Sequence, residues 1–234
     1  MADIALRGEL WDNDSADVLR WWGWRDITAP MDIAADLEAA GGEDVTLLIN
    51  SPGGDMAVGL EIRSMLRRYP GNTTALFQGF GASAATLAAT GCRRIQSEPG
   101  ALLCYHNPSN MAEGDYRDMR RAAEALRNAR DCILEVYTAR SGTKTREELI
   151  ALMDKDIWIT PSQAREYGLI DEIVGLSGSE ADPAAFVAAA SGRIRLTAAM
   201  REQYQAHMAG LRAEKARKEQ GRRTLARLRA LAEF

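Results

Sequence analysis

Over most of the chain, short apolar runs alternate with stretches of helical spacing, and turn-forming residues separate them. Ile4–Leu10 alternates apolar and polar positions and predicts a first strand. Thr28-Ala29-Pro30 has the form of a helix start, with Thr28 or Ala29 near the cap and Pro30 in the first turn. Met31, Ile33, Ala34, Leu37 and Ala40 then recur at helical spacing up to Gly41-Gly42. Val45–Ile49 is apolar apart from Thr46, the pattern of a strand covered on both faces. Ala57–Arg68 carries Val58, Ile62, Met65 and Leu66 on one face and stops at Pro70-Gly71. Thr73–Gln78 predicts another strand, and a helix of small residues opens at Ser83 and ends at Gly91. Arg94–Gln96 and Ala101–Tyr105 predict two strands split by Pro99-Gly100.

Met111–Gly114 reads as a loop. Asp115–Arg140 reads as a long helix with Met119, Ala122, Ala123, Leu126, Ala129, Ile133, Val136 and Tyr137 in a stripe, ending at Ser141-Gly142. Thr145 and Glu148 form a capping box for a helix carrying Leu149, Leu152 and Met153. After Asp154-Lys155-Asp156 comes the apolar Ile157-Trp158-Ile159, then a brief helix from Thr160-Pro161 to Gly168, then a last strand, Leu169–Val174. Strands alternating with helices predict βαβ units around a mainly parallel sheet, an α/β fold. Trp21, Trp22 and Trp24 are expected in the core.

Gly175–Pro183 has linker composition, and Ala184–Ala190 is a small-residue segment. Ala198–Leu231 favours helix almost throughout, with Met200, Tyr204, Met208 and Leu211 as a narrow stripe that Leu225, Leu228 and Leu231 continue loosely. This polar tail needs a partner helix or stays partly frayed. The expected organisation is therefore one domain over 1–175 and a linker with a helical extension over 176–234. Charge sharpens that division. Between Arg201 and Phe234 there are nine Lys/Arg against four Asp/Glu, a balance of +5 within a chain of net −4. A solvated helix face accounts for this better than nucleic-acid binding, which is not expected.

The chain has 234 residues, 46% hydrophobic and 26% charged, which suits a soluble domain with an extension. No run approaches the roughly 18 apolar residues of a membrane span. Met1-Ala2-Asp3-Ile4 lacks the basic and apolar regions of a signal peptide, so a cytoplasmic protein is expected. Cys92, Cys104 and Cys132 are an odd count at irregular spacing, which speaks for a reducing compartment. With two histidines and no CxxC or HExxH, neither metal nor cofactor is expected.

Two stretches carry candidate chemistry. Asn50-Ser51-Pro52-Gly53-Gly54 reads as a loop leaving a strand. Its proline lacks an N–H and its glycines accept φ > 0, so it can aim backbone N–H groups at one point. Gly79-Phe80-Gly81-Ala82-Ser83 brings a hydroxyl to a helix start, where the amides are free and the dipole is positive. Taken singly, the serine is an N-cap and the Pro-Gly-Gly a turn; together, each closing a strand in an α/β pattern, they are a more specific signal. A serine nucleophile needs a base and the base an orienter. His106, at a strand end beside Asn107 and Pro108, is a better base than His207 in the charged tail. Asp156, just before an apolar strand, is the favoured orienter, with Asp154 and Asp171 in competition. The amides of Gly54 and Ala84 would hold the oxyanion.

Asn50–Gly54, Gly79–Ser83, Tyr105–Pro108 and the run from Asp156 through Thr160, Ala164 and Tyr167-Gly168-Leu169-Ile170-Asp171 resemble, in order and spacing, the motifs of ClpP-type serine peptidases. The resemblance covers residues 4–174. It implies the ClpP/crotonase fold, a spiral of ββα units, and assembly into homo-oligomeric rings that enclose their active sites. It also implies Ser83 as nucleophile, His106 as base, Asp156 as orienter, and Gly54 and Ala84 as oxyanion donors. Two departures stand out. Housekeeping members usually have Met after the nucleophile and a Gly-Gly stretch soon after His-x-Pro; here Ala84 and Ser109–Gly114 take those places. That glycine stretch helps join two rings, so a double ring does not follow here. Ser83-Ala84-Ala85, Tyr105–Pro108 and the basic tail look more like the ClpP-related head maturation proteases of tailed phages, which cut scaffold and capsid proteins in the prohead. A host-type ClpP working with an ATP-driven unfoldase is the second expectation. A catalytically silent assembly protein is the third, and a crotonase-like acyl-CoA enzyme shares the fold.

Overall fold

The computed structural model describes residues 1–175 and 196–232, with side chains described as far as residue 220. The expected linker past Gly175, the segment Ala184–Ala190 and the side chains of Leu225, Leu228 and Leu231 lie outside the described residues. The chain divides into two compact units, Met1–Ala16 with Arg25–Gly192 and Asp17–Trp24 with Arg193–Phe234.

The first unit is built on an eight-stranded sheet. β1 (Ala2–Leu10), β3 (Val45–Gly54), β4 (Thr73–Ala82) and β5 (Arg94–Ser97) form its parallel centre, and β2 (Ile27–Thr28) and β8 (Glu172–Ile173) extend it at either side. Parallel neighbours need crossovers, and helices supply them: α2 (Pro30–Ala39) leads into β3, α3 (Met56–Arg68) into β4 and α4 (Ala84–Ala89) into β5. The capping chemistry explains their starts. Pro30 occupies the first turn of α2 after Ala29, whose N–H donates to Asp32 Oδ2 at 2.8 Å, and Asp55 caps α3 by accepting from Ala57 N at 2.7 Å. Thr145 caps α6 (Arg146–Met153) with the expected capping box, and Thr160 caps α7 (Pro161–Glu166) with a second one formed with Gln163.

β3 is not covered equally on both faces, as its apolar run suggested. Val45, Leu47 and Ile49 are buried, while Thr46, Leu48 and Asn50 on the other face are half-buried. The buried set joins Ile4, Leu6, Phe77, Ile95 and Leu103 in one core that also takes Ile62 and Leu66 of α3. Both central strands run further than expected, because pairing carries them through glycine: β3 continues to Gly54 opposite Leu10, and β4 to Ala82. Asn50–Gly54 is therefore strand for its whole length rather than a loop.

The α5 helix (Tyr116–Ser141) is capped by Asp115 and closed by Gly142 at φ 63°. Its second half packs on the core through Ile133, Leu134 and Tyr137, and its first half is exposed to half-exposed. Tyr137 reaches down to the floor of α4. Thr86 Oγ1 donates to the Ser83 carbonyl at 2.6 Å, so its only proton is used, and the Tyr137 hydroxyl 2.6 Å away donates to it. Burial pushes the Tyr137 phenol up from its ordinary value, so it remains a donor. Thr86→Val should leave that phenol buried without an acceptor and cost about 2 kcal/mol. Tyr137→Phe leaves Thr86 satisfied and should cost about 1 kcal/mol. Urea unfolding of the two variants checks the order.

The second unit corrects the expected place of the tryptophans. Trp21, Trp22 and Trp24 are 40%, 42% and 45% exposed and lie outside the core. α1 (Asn13–Trp21), which the polar composition of its segment hid, carries the first of them. Within this unit the Trp21 ring stands 5.1 Å from His207 and 6.1 Å from Tyr204 of α8 (Ala198–Ala232), and Trp22 Nε1–H donates to the Met200 carbonyl at 3.4 Å. Of the stripe foreseen on the tail, Tyr204 meets the Trp21 ring and Leu211 stays exposed, and His207 belongs to that aromatic cluster.

Candidate active site

Three neighbouring strands deliver the candidate residues. β4 changes partner along its length: residues 74–77 pair with β5, and residues 80–82 pair with β6 (Leu102–Cys104). An irregularity makes the change possible. Between the pairs Ile49↔Phe77 and Ser51↔Gly81, Gln78, Gly79 and Phe80 of β4 face the single residue Asn50 of β3. Side chains close the broken ladder. Phe80 N donates to Asn50 Oδ1 at 3.0 Å; Ser51 Oγ donates to the Gly8 carbonyl at 2.6 Å and accepts from Gly53 N at 3.0 Å. Asn50 of the first motif thus holds the backbone of the second, while Ser51 ties its own motif to β1.

Ser83 follows β4 directly and stands before α4, but it is no ordinary cap. Its φ, ψ of 55°, −128° lie in a region that L-residues avoid, and its side chain makes no capping hydrogen bond. Its N–H donates to the Cys104 carbonyl at 3.0 Å, which fixes it beside the end of β6. Ala84 is the first helical residue, so its N–H has no intrahelical acceptor. Gly53, at φ 90°, is pressed against the pair: a Cβ there would lie 2.6 Å from Ser83 Cβ and 2.9 Å from Ala84 N. Gly54, at φ 150°, is pressed instead against Leu10 of β1.

His106 lies two residues beyond β6, and Asp156 two residues before β7 (Trp158–Ile159). β6 and β7 are antiparallel, with Leu103↔Ile159 and Cys104↔Trp158. Continued two residues, that register sets position 106 across from position 156. Asp156 has φ 48°, and among the described residues Ser83 and Asp156 are the two non-glycines with positive φ. Strain of this kind collects where a side chain must be aimed against local preference.

The three side chains are not joined. Among the described residues no hydrogen bond links Ser83, His106 and Asp156; His106 Nδ1 instead faces the carbonyl of Asn107 at 2.7 Å. A carbonyl can only accept, so Nδ1 carries the proton and the other ring nitrogen of the neutral imidazole is free to take one. The competing carboxylates are occupied elsewhere. Asp171 accepts from Ile95 N at 2.7 Å and pairs with Arg140, while Asp154 Oδ1 accepts from Asn107 Nδ2 at 2.7 Å. His207 lies in the second unit. Cys104, the one thiol near the candidate residues, is no rival nucleophile: burial, and then the Asp156 carboxylate, push it up to about 12. Sequence reasoning missed Asn107, whose Oδ1 is buried without a partner among the described residues; an asparagine beside the candidate histidine was the available signal.

With this geometry in hand, comparison with known proteins places the chain. The Clp protease family model matches residues 32–177, and the chain belongs to that family. It is similar to the ATP-dependent Clp protease proteolytic subunit 1 of Leifsonia xyli, 31% identical over 183 residues, covering 74% of this chain and 91% of that protein. It is 35% identical over 133 residues to the protein of the same name from Streptomyces avermitilis, covering 56% of this chain and 61% of that relative's length. Against the ATP-dependent Clp protease proteolytic subunit of Bacteroides fragilis it is 30% identical over 135 residues, covering 57% of this chain and 65% of that one. The chain thus spans less than two thirds of the length of these last two relatives. Among solved structures, a ClpP1 mutant from Listeria monocytogenes superposes with a TM-score of 0.59 at 20% identity, covering 74% of this chain and 90% of the other. The expected ClpP-like α/β fold is the observed one.

Proposed function

We propose that the chain is a serine endopeptidase. Ser83 is the nucleophile, His106 the base and Asp156 the orienter, with the amides of Gly54 and Ala84 as oxyanion donors. The observation that carries this reading is the pairing of strain with register: the two strained non-glycine residues, Ser83 and Asp156, flank the strand that leads to His106. In the working arrangement the free nitrogen of His106 takes the Ser83 proton as Oγ attacks a peptide carbonyl. Asp156 accepts from Nδ1–H and stabilises the imidazolium. The two amides hold the charge that develops on the carbonyl oxygen. A side chain at Gly53 would press on Ser83 and the Ala84 amide, so glycine there leaves both undisturbed. The peptidase domain is 1–175, and 176–234 is its extension.

The substrates proposed are the scaffold and capsid proteins of a tailed phage, cut within a prohead in the host cytoplasm by a homo-oligomeric ring. Ala84 after the serine, Ser109–Gly114 in place of a Gly-Gly stretch, and the basic helical tail support this. The relatives, ATP-dependent proteolytic subunits by name, favour a second reading, a proteolytic subunit that depends on an ATP-driven unfoldase. Among the described residues no helix is long and apolar enough to cross a membrane.

A serine-reactive fluorophosphonate should label the wild-type protein at the peptide containing Ser83 and should not label Ser83→Ala. Equal labelling of both, or labelling elsewhere, sinks the assignment. Degradation of a folded substrate only with an unfoldase and ATP selects the second reading over the first.

A further inference from the structure

Asn107 is tied at two points, and both bear on His106. Its main-chain carbonyl holds the Nδ1 proton of His106 at 2.7 Å, where the proposed working arrangement would put Asp156. Its side-chain amide donates to Asp154 Oδ1 at 2.7 Å. Asp154 and Asp156 belong to the same short turn between α6 and β7. One carboxylate of the turn thus anchors the peptide that occupies His106, and the other lies across from His106 in register without a hydrogen bond to it. Pro108 restricts Asn107 to extended backbone and has no N–H, so the peptide joining 107 and 108 has no donor to anchor it. Asn107 Oδ1 is buried with no donor among the described residues, so this arrangement leaves a polar atom unmet.

We infer that the Asn107–Asp154 hydrogen bond is a latch that keeps His106 on the Asn107 carbonyl, and that opening it lets the Nδ1 proton pass to Asp156. The inference rests on the proposed triad for its consequence in catalysis, but the exchange of acceptor is a statement about His106 alone. Asn107 and Asp154 are positioning residues: they act through the imidazole and touch no substrate. Binding of a peptide chain along the end of β6 is the natural key, because a new donor there would meet Asn107 Oδ1 and draw the amide from Asp154.

The full-length protein, labelled with ¹⁵N at histidine, separates the possibilities. In wild type the Nδ1 proton resonance of His106 should not respond to Asp156→Asn. In Asp154→Ala, and independently in Asn107→Ala, it should move downfield, and adding Asp156→Asn should then reverse the shift. Fluorophosphonate labelling of Ser83 should run roughly ten times faster in either latch variant than in wild type, and the gain should vanish with Asp156→Asn. Asn107→Gln, which can still reach Asp154, should behave more like wild type than Asn107→Ala. If the resonance is unmoved in both latch variants, or labelling slows in both, the latch is overturned. If the resonance moves as expected while Ser83 is never labelled, the latch stands and the peptidase reading falls.

Discussion

Replacing Ser83 with glycine is expected to abolish hydrolysis and, at the same time, to stabilise the fold. The loss of activity follows from the proposed role: removing a nucleophilic serine from a triad lowers kcat by roughly 10⁴-fold or more. The gain follows from the backbone. At φ 55° and ψ −128° a side chain costs about 1–3 kcal/mol, and the Ser83 side chain makes no capping bond to offset it. Glycine removes that strain but gives back part of it through the greater freedom of the unfolded chain, leaving about 1 kcal/mol. Ser83→Ala is the control, since it loses the hydroxyl and keeps the strain. Urea unfolding should rank glycine above serine, with alanine close to serine. Equal stability of the glycine and alanine variants would show that no strain is stored at this position.

Gly53→Ala is the second large effect, and it acts in the opposite direction on stability. The added Cβ would lie 2.5 Å from the Ala82 carbonyl oxygen, 2.6 Å from Ser83 Cβ and 2.9 Å from Ala84 N, at a φ of 90° that alanine resists. Two of these atoms are main chain in a paired strand and a helix start, so they cannot swing aside as a long side chain could. Overpacking and backbone strain together should cost about 3 kcal/mol. Hydrolysis should fall by at least about 10²-fold, because a displacement of 1 Å at a reacting centre costs that much. Parallel measurement of unfolding and of fluorophosphonate labelling at a temperature where the variant is folded separates the two losses. A variant that is folded, stable and fully active would mean that the contact between the two glycine-bearing motifs has no mechanical role.

Local chemistry made the helix starts and the long central strands legible. Pro30, Thr145 and Thr160 signal helix starts through bonds that reach no further than three residues, and the apolar runs from Val45 and Thr73 mark strands wherever they are placed. What escaped was whatever depends on a partner distant in sequence. Asn50–Gly54 read as a loop and the next strand as ending at Gln78, yet cross-strand pairing with Leu10 and Leu102–Cys104 holds both glycine-rich motifs extended. Leu169–Val174 looked like a full strand and pairs over Glu172 and Ile173 alone. The tryptophans suggested a core by their size, but the rings of α8 give them a different set of neighbours. In the candidate site, the order of motifs pointed to Ser83, His106 and Asp156 together. The carbonyl of Asn107 as the momentary acceptor of His106 has no signature in composition or spacing, since every residue has a carbonyl.

The joint between β6 and β7 has a further consequence. Asp156 is tied to the strand carrying His106 by two residue pairs, whereas β3 and β4 are matched over most of their ten residues. The acidic limb is therefore hinged on a short splice, and warming would part that splice well before the long central ribs gave way. Hydrolysis is therefore expected to fall on mild warming before the far-UV dichroism does, and to return on cooling.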